Sequence, residues 1–323
     1  MKSIEDLQEF YNQELIQDLE AVEAKRKKIV KNIYIVIVVT PILTALTIGA
    51  IFWLRYTTGL ILIPVLIYPA IAWMTISFFK SDKEFYYDFK NKVIQRIVKY
   101  VDPSLSYIST KHISYNHFIQ SKLFAKSLNR FSGDDFVSGN VGNIKIELSE
   151  VLAEVKSSEV KSEDTKSEWH YVFRGIFFAA ELDHQITSEV FILSDPSDSL
   201  YKKLKNKQLD MIRPSALKTG NTDFDNTFFC YSHDQDELNY ILNKDLQQII
   251  LEFKEKTGCK IYISFIGNRV SVGIYHSNDL FEPRLFTTML DFAMIKEYYE
   301  DIYHAIVIAQ ELDVRTRTLT HQA

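Results

Sequence analysis

The chain has 323 residues, of which 46% are apolar and 24% are charged, and its formal net charge is −5. Because nucleic-acid binding requires a basic surface, this mildly acidic chain is not expected to have a nucleic-acid partner. Two cysteines, Cys230 and Cys259, are too few for a disulfide framework and lack the spacing of a zinc site.

Residues 1–31 have the pattern of an amphipathic cytoplasmic helix. Apolar side chains recur every three or four positions, which places them on one face of a helix. These positions are Ile4, Leu7, Tyr11, Leu15, Leu19 and Val22.

Residues 32–80 are predicted to form a transmembrane hairpin. Two runs without a charged residue, about 33–54 and 59–79, have the length that crosses a hydrocarbon core of roughly 30 Å. The prolines in both runs are compatible with membrane spans, where neighbouring helices and hydroxyl groups satisfy the freed backbone groups. A cleaved export signal is disfavoured because a long polar segment precedes the basic residues and no cleavage site of small residues follows.

The basic residues predict the orientation of this hairpin. Cytoplasmic flanks of membrane spans carry an excess of Lys and Arg. The residues before the first run are Lys25, Arg26, Lys27, Lys28 and Lys31. Further lysines follow the second run, whereas the short loop between the runs holds only Arg55. Both termini are therefore predicted to be cytoplasmic, with the lipid bilayer as one partner of the chain.

Residues 81–102 predict a second amphipathic helix that ends before Pro103. Its apolar positions are Phe85, Phe89, Val93, Ile97 and Tyr100. Because one helix leads into the membrane and the other leads out, we predict that they pack antiparallel as a stalk. The alternative is that each packs against the following domain or against a second subunit.

Residues 103–323 are predicted to form a cytoplasmic α+β domain with a mainly antiparallel sheet and a long C-terminal helix. Residues 134–157 suggest strands, with Gly139, Asn140 and Gly142 in turns. Three further strands are predicted from runs rich in apolar and aromatic residues, namely HYVFRGIFFAAEL, SEVFILSD and NTFFCYS.

Two helices and a hairpin complete the predicted domain. One helix extends from Asp234, whose side chain caps it, to Gly258, which ends it. The runs CKIYISFIG and RVSVGIYHS predict a hairpin that turns near Gly267-Asn268. The last helix is predicted from about Phe286 to Leu312. A roll of the pleckstrin-homology type is disfavoured because a long helix separates the strands.

Two short motifs are candidate ligand or partner sites. Asp134 and Asp135 follow a glycine in a predicted turn, where paired carboxylates bind a divalent cation or act as acid and base. Carboxylates in such turns also cap the backbone, and this structural role is favoured. In the second motif, Arg174 and Gly175 interrupt an apolar strand, so that a bulge or a close backbone approach is expected at the glycine.

The guanidinium of Arg174 must reach water, a ligand or a carboxylate. Glu150 and Asp135 are the candidate carboxylates on a neighbouring strand, and a structural ion pair is favoured over ligand binding.

The sequence shows no constellation for catalysis or cofactor binding. It contains no Gly-rich phosphate loop before a helix and no His-x-x-x-His, Cys-x-x-Cys or Gly-x-Ser-x-Gly pattern. Cys230, His233 and Asp234 suggest a thiol nucleophile, but helix capping explains Asp234 and is favoured. We therefore predict no catalytic, cofactor-binding or metal-binding residues and no cofactor.

The order of several segments resembles a bacterial family of two-span membrane proteins, the domain-of-unknown-function family 3137. The segments that carry the resemblance are FIQSKLF, FSGDDFVSGNVGNIKIELSEV, FRGIFF, SEVFILSD and NTFFCYSHDQDELNYIL. The resemblance covers most of the chain after Asp102. It implies a multi-pass protein of the bacterial cytoplasmic (inner) membrane with a cytoplasmic domain, and it implies no activity, cofactor or catalytic residues.

These observations favour a membrane-anchored, non-enzymatic interaction or scaffold module that binds a protein partner or a second copy of itself. The high aromatic content, 22 Phe and 18 Tyr, is typical of a protein with a contact face. The alternative is a membrane-surface hydrolase or ligand-binding protein that acts on lipid or envelope material. That function requires Asp135, Arg174 or the Cys230–His233 pair to converge in one pocket. Transport is disfavoured because two uncharged spans provide no ion pathway.

Overall fold

The computed structural model describes residues 3–53, 83–124, 128–158, 167–194, 216–276 and 281–318. The chain divides into two compact units. The first comprises Met1–Arg96 and Glu282–Glu297, and the second comprises Ile97–Phe281 and Tyr298–Ala323. The predicted second span, 59–79, and the loop before it lie outside the described residues.

The first helical run begins at a capped amino end. Helix α1, Ile4–Phe10, is followed by a π-helical turn, Tyr11–Leu15, and by helix α2, Ile16–Trp53. Ser3 and Asp6 form a capping box, in which the Ser3 hydroxyl accepts from the Asp6 N–H at 3.1 Å and the Asp6 carboxylate accepts from the Ser3 N–H at 2.6 Å.

Part of this run has the length and composition of a membrane span. Among the residues that the structure describes, Ile4–Gly49 is the one helical stretch that meets both conditions. Its exposed large apolar side chains cluster in the uncharged part, namely Tyr34, Ile35, Ile37, Val38, Val39, Ile42, Leu46 and Ile48. Such a continuous apolar surface is unfavourable in water and favourable in a hydrocarbon layer, so the helix supports membrane association of the chain.

A second helical run follows at residues 83–101. It consists of helical residues 83–89, a π-helical turn, Lys90–Ile94, and helix α3, Gln95–Val101. Four of its five predicted apolar positions are buried, namely Phe85, Phe89, Val93 and Ile97.

Polar contacts show that residues 88–96 run antiparallel to residues 14–25. Arg96 lies 3.1 Å from the Asp18 carboxylate and donates to the Glu14 carbonyl at 2.6 Å. Asp88 pairs instead with Lys25. Residue numbers therefore rise along one helix as they fall along the other, which is the packing direction expected for the predicted stalk.

A third segment, residues 282–297, packs on the first helix through a buried ion pair. Glu23 is only 3% exposed; its carboxylate accepts two hydrogen bonds from Arg26, both at 2.7 Å, and one from the Met289 N–H at 2.9 Å. Arg26 also donates to the Leu285 carbonyl at 2.9 Å. The hydrogen bonds from Arg26 hold the pKa of the Glu23 carboxyl below its usual value. The buried charge is thus paired and hydrogen-bonded, as burial requires.

Two further contacts attach this segment at its ends. The Lys90 ammonium lies 2.6 Å from the Glu282 carboxylate, and the Tyr11 and Phe292 rings meet edge to face at a centroid distance of 5.5 Å. The last helix was predicted to begin at about Phe286, but it begins at Phe292, and no partner was predicted for residues 282–297.

Replacing Glu23 by Gln is expected to destabilise the protein by about 2 kcal/mol, because Arg26 loses a charged partner and the Met289 N–H a charged acceptor. Thermal unfolding of the full-length protein in detergent measures the effect. The control is Glu20→Gln, an exposed residue on the same helix, for which the expected change is below about 0.5 kcal/mol.

The effect of Glu23→Gln on the free energy of unfolding is expected to depend on pH. Since the pKa of Glu23 is lowered in the folded chain, the stabilisation that its carboxylate provides is complete above the ordinary value of 4.5 and is lost as the pH falls through the folded pKa. The difference between wild type and Glu23→Gln should therefore shrink below pH 4.5. A difference that stays constant or grows on acidification would contradict this role.

The second unit is built on a seven-stranded sheet, and every described strand pair is antiparallel. Its order is β1-β2-β3-β4-β6-β5, and β7 pairs with β4. The strands are β1 Ser106–Ile108, β2 Arg130–Val141, β3 Ile144–Ser158, β4 Ser167–Leu193, β5 Ala216–Leu217, β6 Phe229–Ser232 and β7 Ile261–Tyr275. The prediction of an α+β fold with an antiparallel sheet is confirmed.

Strand β4 is longer than predicted. The runs HYVFRGIFFAAEL and SEVFILSD belong to one strand of 27 residues, so the prediction of two strands was wrong. The polar residues between them do not end the strand because β7 pairs with β4 on both sides of them, at Glu181↔Arg269 and at Val190↔Phe265. The register shifts in between, which marks bulges in the ladder.

A carboxylate from a neighbouring helix stabilises this irregular part of β4. Glu237 accepts hydrogen bonds from the N–H groups of Thr187 at 2.7 Å and Ser188 at 2.6 Å. It also accepts from the Thr187 hydroxyl at 2.9 Å. These bonds satisfy backbone donors where the ladder with β7 is irregular.

The predicted hairpin at Gly267-Asn268 is a continuous strand. Gly267 has a φ of +61° and pairs with Ile186 at the irregular part of β4. A Gly-Asn pair between two apolar runs indicates a turn only when the runs pair with each other. Here both runs pair with β4, so the glycine accommodates a bulge and the hairpin prediction was wrong.

The hairpin between β2 and β3 is present but tighter than predicted. Its turn lies at Gly142-Asn143, where Gly142 has a φ of +64°. Gly139 and Asn140 belong to β2 and pair with Ile146 and Lys145, so their assignment to turns was wrong.

The helices of this domain differ from prediction mainly at their ends. The predicted helix 234–258 is divided, because Asn243 caps a second helix by accepting from the Leu246 N–H at 3.0 Å. Asp234 caps the first part and Gly258, with a φ of +63°, ends the second, as predicted. The helices are α4 Tyr115–Gln120, α5 Thr222–Thr227, α6 Gln235–Ile241, α7 Lys244–Thr257 and α8 Phe292–Thr318.

An aromatic cluster fills one side of the sheet. Phe118 stacks on Phe124 at 4.9 Å and contacts Phe177, also at 4.9 Å, and Phe124 lies 4.8 Å from Phe173. Gly273 of β7 leaves room for this packing, since an added Cβ would lie 3.0 Å from the Phe124 ring. The segment FIQSKLF thus covers the central strands with aromatic side chains.

Candidate functional site

Asp134 and Asp135 lie within β2, not in a turn before it as predicted. Asp134 is directly opposite Glu150 of β3. Asp135 lies in a bulge, has a φ of +57° and is completely buried. Its carboxylate accepts a hydrogen bond from the Tyr107 hydroxyl, and its N–H donates to the Ser109 carbonyl at 3.3 Å. These bonds connect the bulge in β2 with β1 and the residue that follows β1.

Arg174 shares one face of the sheet with Glu150 and Asp134. Leu152 is opposite Arg174, and Glu150 lies two residues away on β3, so Glu150 and Arg174 are diagonal neighbours about 7–8 Å apart. Asp134 is one strand further, about 12 Å from Arg174 by ordinary strand spacing. Of the two carboxylates considered as partners of Arg174, Glu150 is thus the nearer in register, and it is buried.

Both glycines of the candidate motifs lie where two backbones approach closely. A Cβ added at Gly133 would lie 2.1 Å from the Glu150 carbonyl oxygen. At Gly175, which has a φ of +144°, it would lie 2.1 Å from the Ile274 carbonyl oxygen. The predicted close approach at Gly175 is confirmed.

The thiols do not have the properties of nucleophiles. Cys230 is buried, and burial raises the pKa of its thiol to about 12, so the thiolate is scarce at neutral pH. Burial also raises the pKa of Cys259. Cys230 is opposite Ile192 near the end of β4, whereas Arg174 lies near its beginning. The structure therefore does not bring the thiol and the guanidinium together, as the hydrolase alternative would require.

Three of the five basic residues before the first span form ion pairs. Lys25 pairs with Asp88, Arg26 pairs with Glu23, and Lys27 lies 3.7 Å from the same Glu23 carboxylate. Lys25, Lys27, Lys28 and Lys31 are exposed. The segment therefore combines a structural function with an exposed positive charge next to the apolar run.

An exposed aromatic surface at the start of β4 was not predicted from the sequence. Alternate residues of a strand lie on one face, so Trp169 and Tyr171 share a face with their partners on β3, Lys156 and Glu154. The register shifts after Tyr171, so Phe173, which is opposite Ala153, lies on the other face with the aromatic cluster. Phe173 is buried, whereas Trp169 is 43% and Tyr171 47% exposed. The alternation of Trp169 and Tyr171 in WHY was the signal that could have revealed this exposed pair.

Two cations lie over this surface. The Arg130 guanidinium is 4.3 Å and the Lys156 ammonium 5.9 Å from the centre of the Trp169 ring, which are cation–π distances. Arg130 also pairs with Glu154 at 3.2 Å. We refer to Arg130, Lys156, Trp169 and Tyr171 as the Trp169 surface.

Comparison with known proteins gives one family match. Residues 171–314 match the model of a family described as "Protein of unknown function (DUF3137)". The predicted family resemblance is confirmed. The match contains Arg174 and Gly175, but it begins after Asp134, Asp135 and two of the five segments on which the resemblance was based. Because the DUF3137 family is described as of unknown function, the match assigns no role to any of these residues.

The other comparisons add no functional information. No curated protein matches the chain. The crystal structure of the mycobacterial trehalose monomycolate transport factor A, TtfA, is similar over 67% of this chain and 95% of that one, with 10% identity and a TM-score of 0.29. A similarity at this TM-score carries no argument about fold or function.

Replacing Gly175 by Ala is expected to cost about 3 kcal/mol or more, because the methyl group collides with the β7 backbone and the positive φ is strained. The matched control is Gly220→Ala, which has a φ of +80° and open space around the added Cβ. The Gly220→Ala variant should lose only about 1 kcal/mol of unfolding free energy, because the positive φ is strained but the added methyl group meets no neighbour. Thermal unfolding of the two full-length variants tests the close approach, and equal losses would contradict it.

Proposed function

We propose that this chain is a membrane-anchored cytoplasmic interaction module that binds a protein partner through the Trp169 surface. The observation that carries the proposal is the pair of exposed aromatic residues on β4, Trp169 and Tyr171, with two cations over the Trp169 ring. Tryptophan, tyrosine and arginine are the residue types that most often dominate the binding energy of protein interfaces. An exposed surface of this composition supports docking better than it supports catalysis.

The proposed partner presents an acidic segment to this surface. Lys156 is exposed beside the Trp169 ring, and Arg130 extends across the same ring. Glu154 is buried and paired with Arg130, so it compensates only part of the local positive charge. Carboxylates of a partner would gain both the attraction of these cations and contact with the aromatic rings.

In the proposed arrangement the chain is a multi-pass protein of the bacterial cytoplasmic membrane, with two spans and both termini in the cytoplasm. Helix α2 supports the first span, and the exposed lysines before the uncharged run support the orientation. The anchor then keeps the interaction domain, and any partner bound to it, at the membrane.

The orientation predicts which cysteines react from outside the cell. In the full-length protein with Cys259→Ser, single cysteines are introduced at Lys2, Thr58 or Gln322 and exposed to a membrane-impermeant maleimide. Thr58→Cys should be labelled in intact spheroplasts, whereas Lys2→Cys and Gln322→Cys should react only after permeabilisation. Labelling of either terminal cysteine in intact spheroplasts would contradict the proposed topology.

Site-specific photo-crosslinking tests the docking surface. With p-benzoylphenylalanine in place of Tyr171, irradiation of native membranes should give a protein adduct of one defined mass. Trp169→Ala should abolish the adduct, because the ring beside the probe supplies the contact area. Lys156→Glu should reduce it severalfold, because the added charge repels an acidic partner.

The control probe replaces Tyr240, an exposed tyrosine on helix α6. This probe should give no adduct of the same mass. An adduct at Tyr171 that is insensitive to both substitutions, or the same adduct from both probes, would refute docking at the Trp169 surface. Adducts that consist only of lipid would favour the ligand-binding alternative.

A further inference from the structure

Residues 284–288 form a loop that is attached to the helices on both sides of one exposed aromatic residue. Before this residue, Glu282 binds Lys90, and the Leu285 carbonyl accepts from Arg26 at 2.9 Å. After it, the Met289 N–H donates to Glu23 at 2.9 Å. The backbone of the loop is thereby fixed next to α2.

The residue between these attachments is Phe286. Its side chain is 70% exposed, more than any other large apolar side chain that the structure describes. Most of the others above 50% lie in the uncharged part of α2. A phenylalanine held outward by fixed backbone on both sides exposes apolar area that water does not favour.

The position of the loop along α2 suggests what covers this ring. Arg26, which binds the loop, precedes the uncharged run at Ile33 by seven residues, or about 10 Å of helix. The polar layer of a bilayer extends several ångströms beyond its hydrocarbon core. A phenylalanine ring that projects from the loop can therefore reach this layer when the uncharged run is in the core.

Other side chains at the same level have the chemistry of a membrane interface. Tyr87, which is 62% exposed, precedes the aspartate that pairs with Lys25, and Tyr34 follows at the start of the uncharged run. Aromatic residues collect at this depth in membrane proteins. A shallow groove on α2 is lined by Lys27, Lys31, Tyr34 and other residues, so cations adjoin apolar groups, an order complementary to anionic headgroups above acyl chains.

The loop residues 284–288, RLFTT, include no carboxylate that anionic headgroups would repel. The nearest carboxylates in sequence are Glu282, which is paired with Lys90, and Asp291, which is exposed and accepts a hydrogen bond from the Ala293 N–H at 2.9 Å. The guanidinium of Arg284 is paired with Glu297 at 2.7 Å. Lys27, Lys28 and Lys31 therefore provide the exposed charge on the adjoining part of α2.

From this arrangement we infer that residues 284–288 form a second membrane contact, in which Phe286 enters the headgroup layer of an anionic bilayer beside α2. The inference rests on the proposed membrane anchoring and adds to it. The chain then binds the bilayer through a segment more than two hundred residues removed in sequence from the first span, as well as through the span itself. The Glu23–Arg26 pair of α2 attaches this segment to the helix through hydrogen bonds to the Met289 N–H and the Leu285 carbonyl.

Spin-label accessibility in the full-length protein tests this contact. A nitroxide is attached to a single cysteine in a Cys259→Ser background, where the buried Cys230 stays unlabelled. The labelled positions are Phe286→Cys, Ile37→Cys in the uncharged run, and Ile4→Cys. Ile4 is exposed and lies about 40 Å along the helix from the start of that run. The proteins are reconstituted in vesicles of phosphatidylcholine with phosphatidylglycerol, and collisions with oxygen and with a water-soluble nickel complex are measured.

The ratio of oxygen to nickel collisions at position 286 should be severalfold higher than at position 4 and lower than at position 37. If position 37 reports lipid while position 286 matches position 4, the second contact is refuted and the anchor stands. If position 37 also matches position 4, the proposed anchoring fails, and the inference fails with it.

A second measurement does not depend on cysteine chemistry. A photo-crosslinking amino acid at position 286 should give phospholipid adducts in the same vesicles, and the same probe at position 4 should give none. Since Phe286 is largely exposed, its replacement removes little packing, and folding should be preserved. Absence of lipid adducts at position 286 would overturn the inference.

Discussion

The sheet depends on β4, a strand of 27 residues that pairs along both of its edges in two stretches. Residues 175–181 lie between β3 and β7, and residues 190–193 lie between β6 and β7. Such pairing requires the β4 and β7 backbones to approach closely at Gly175 and requires an irregular stretch in the middle. Glycine meets the first requirement because a Cβ would collide with the Ile274 carbonyl, and Glu237 meets the second by accepting the backbone donors of the irregular stretch.

An irregularity in the β3–β4 ladder between Tyr171 and Phe173 places the proposed docking surface on the face of β4 opposite the aromatic cluster. Phe173 and Phe177 are covered by aromatic residues of the segment that leads through α4. Trp169 and Tyr171 lie on the other face, opposite Lys156 and Glu154 of β3, and remain partly exposed. The strand that carries the exposed rings is fixed by its pairing with β3 and by the core on its other face, which limits the conformational entropy that binding would cost.

Local sequence signals predicted features that depend on neighbouring residues. The caps at Asp234 and Gly258 were identified because each requires only one residue and the helix beside it. The hairpin at Gly267 was mispredicted because the partner of each strand run is set by long-range pairing with β4, which the local pattern does not contain. The attachment of Met289 to Glu23 was missed for the same reason, since the two residues are 266 positions apart. At the candidate site, Gly175 indicated a close approach, but which strand approaches it could not be read from the sequence.

The Glu23–Arg26 pair also changes how the basic cluster is interpreted. A count of positive residues treats all five as equivalent determinants of orientation, but a buried, paired guanidinium contributes little net charge to the surface. Lys25 is paired with Asp88, and Arg26 and Lys27 share Glu23, so Lys28, Lys31 and part of the Lys27 charge remain to favour the orientation. Arg26 serves another purpose, because a third donor of its guanidinium binds the Leu285 carbonyl and thereby fixes the depth of Phe286 relative to the uncharged run. One short segment thus supplies the charge that favours an orientation and the hydrogen bonds that set a second apolar group at the same level.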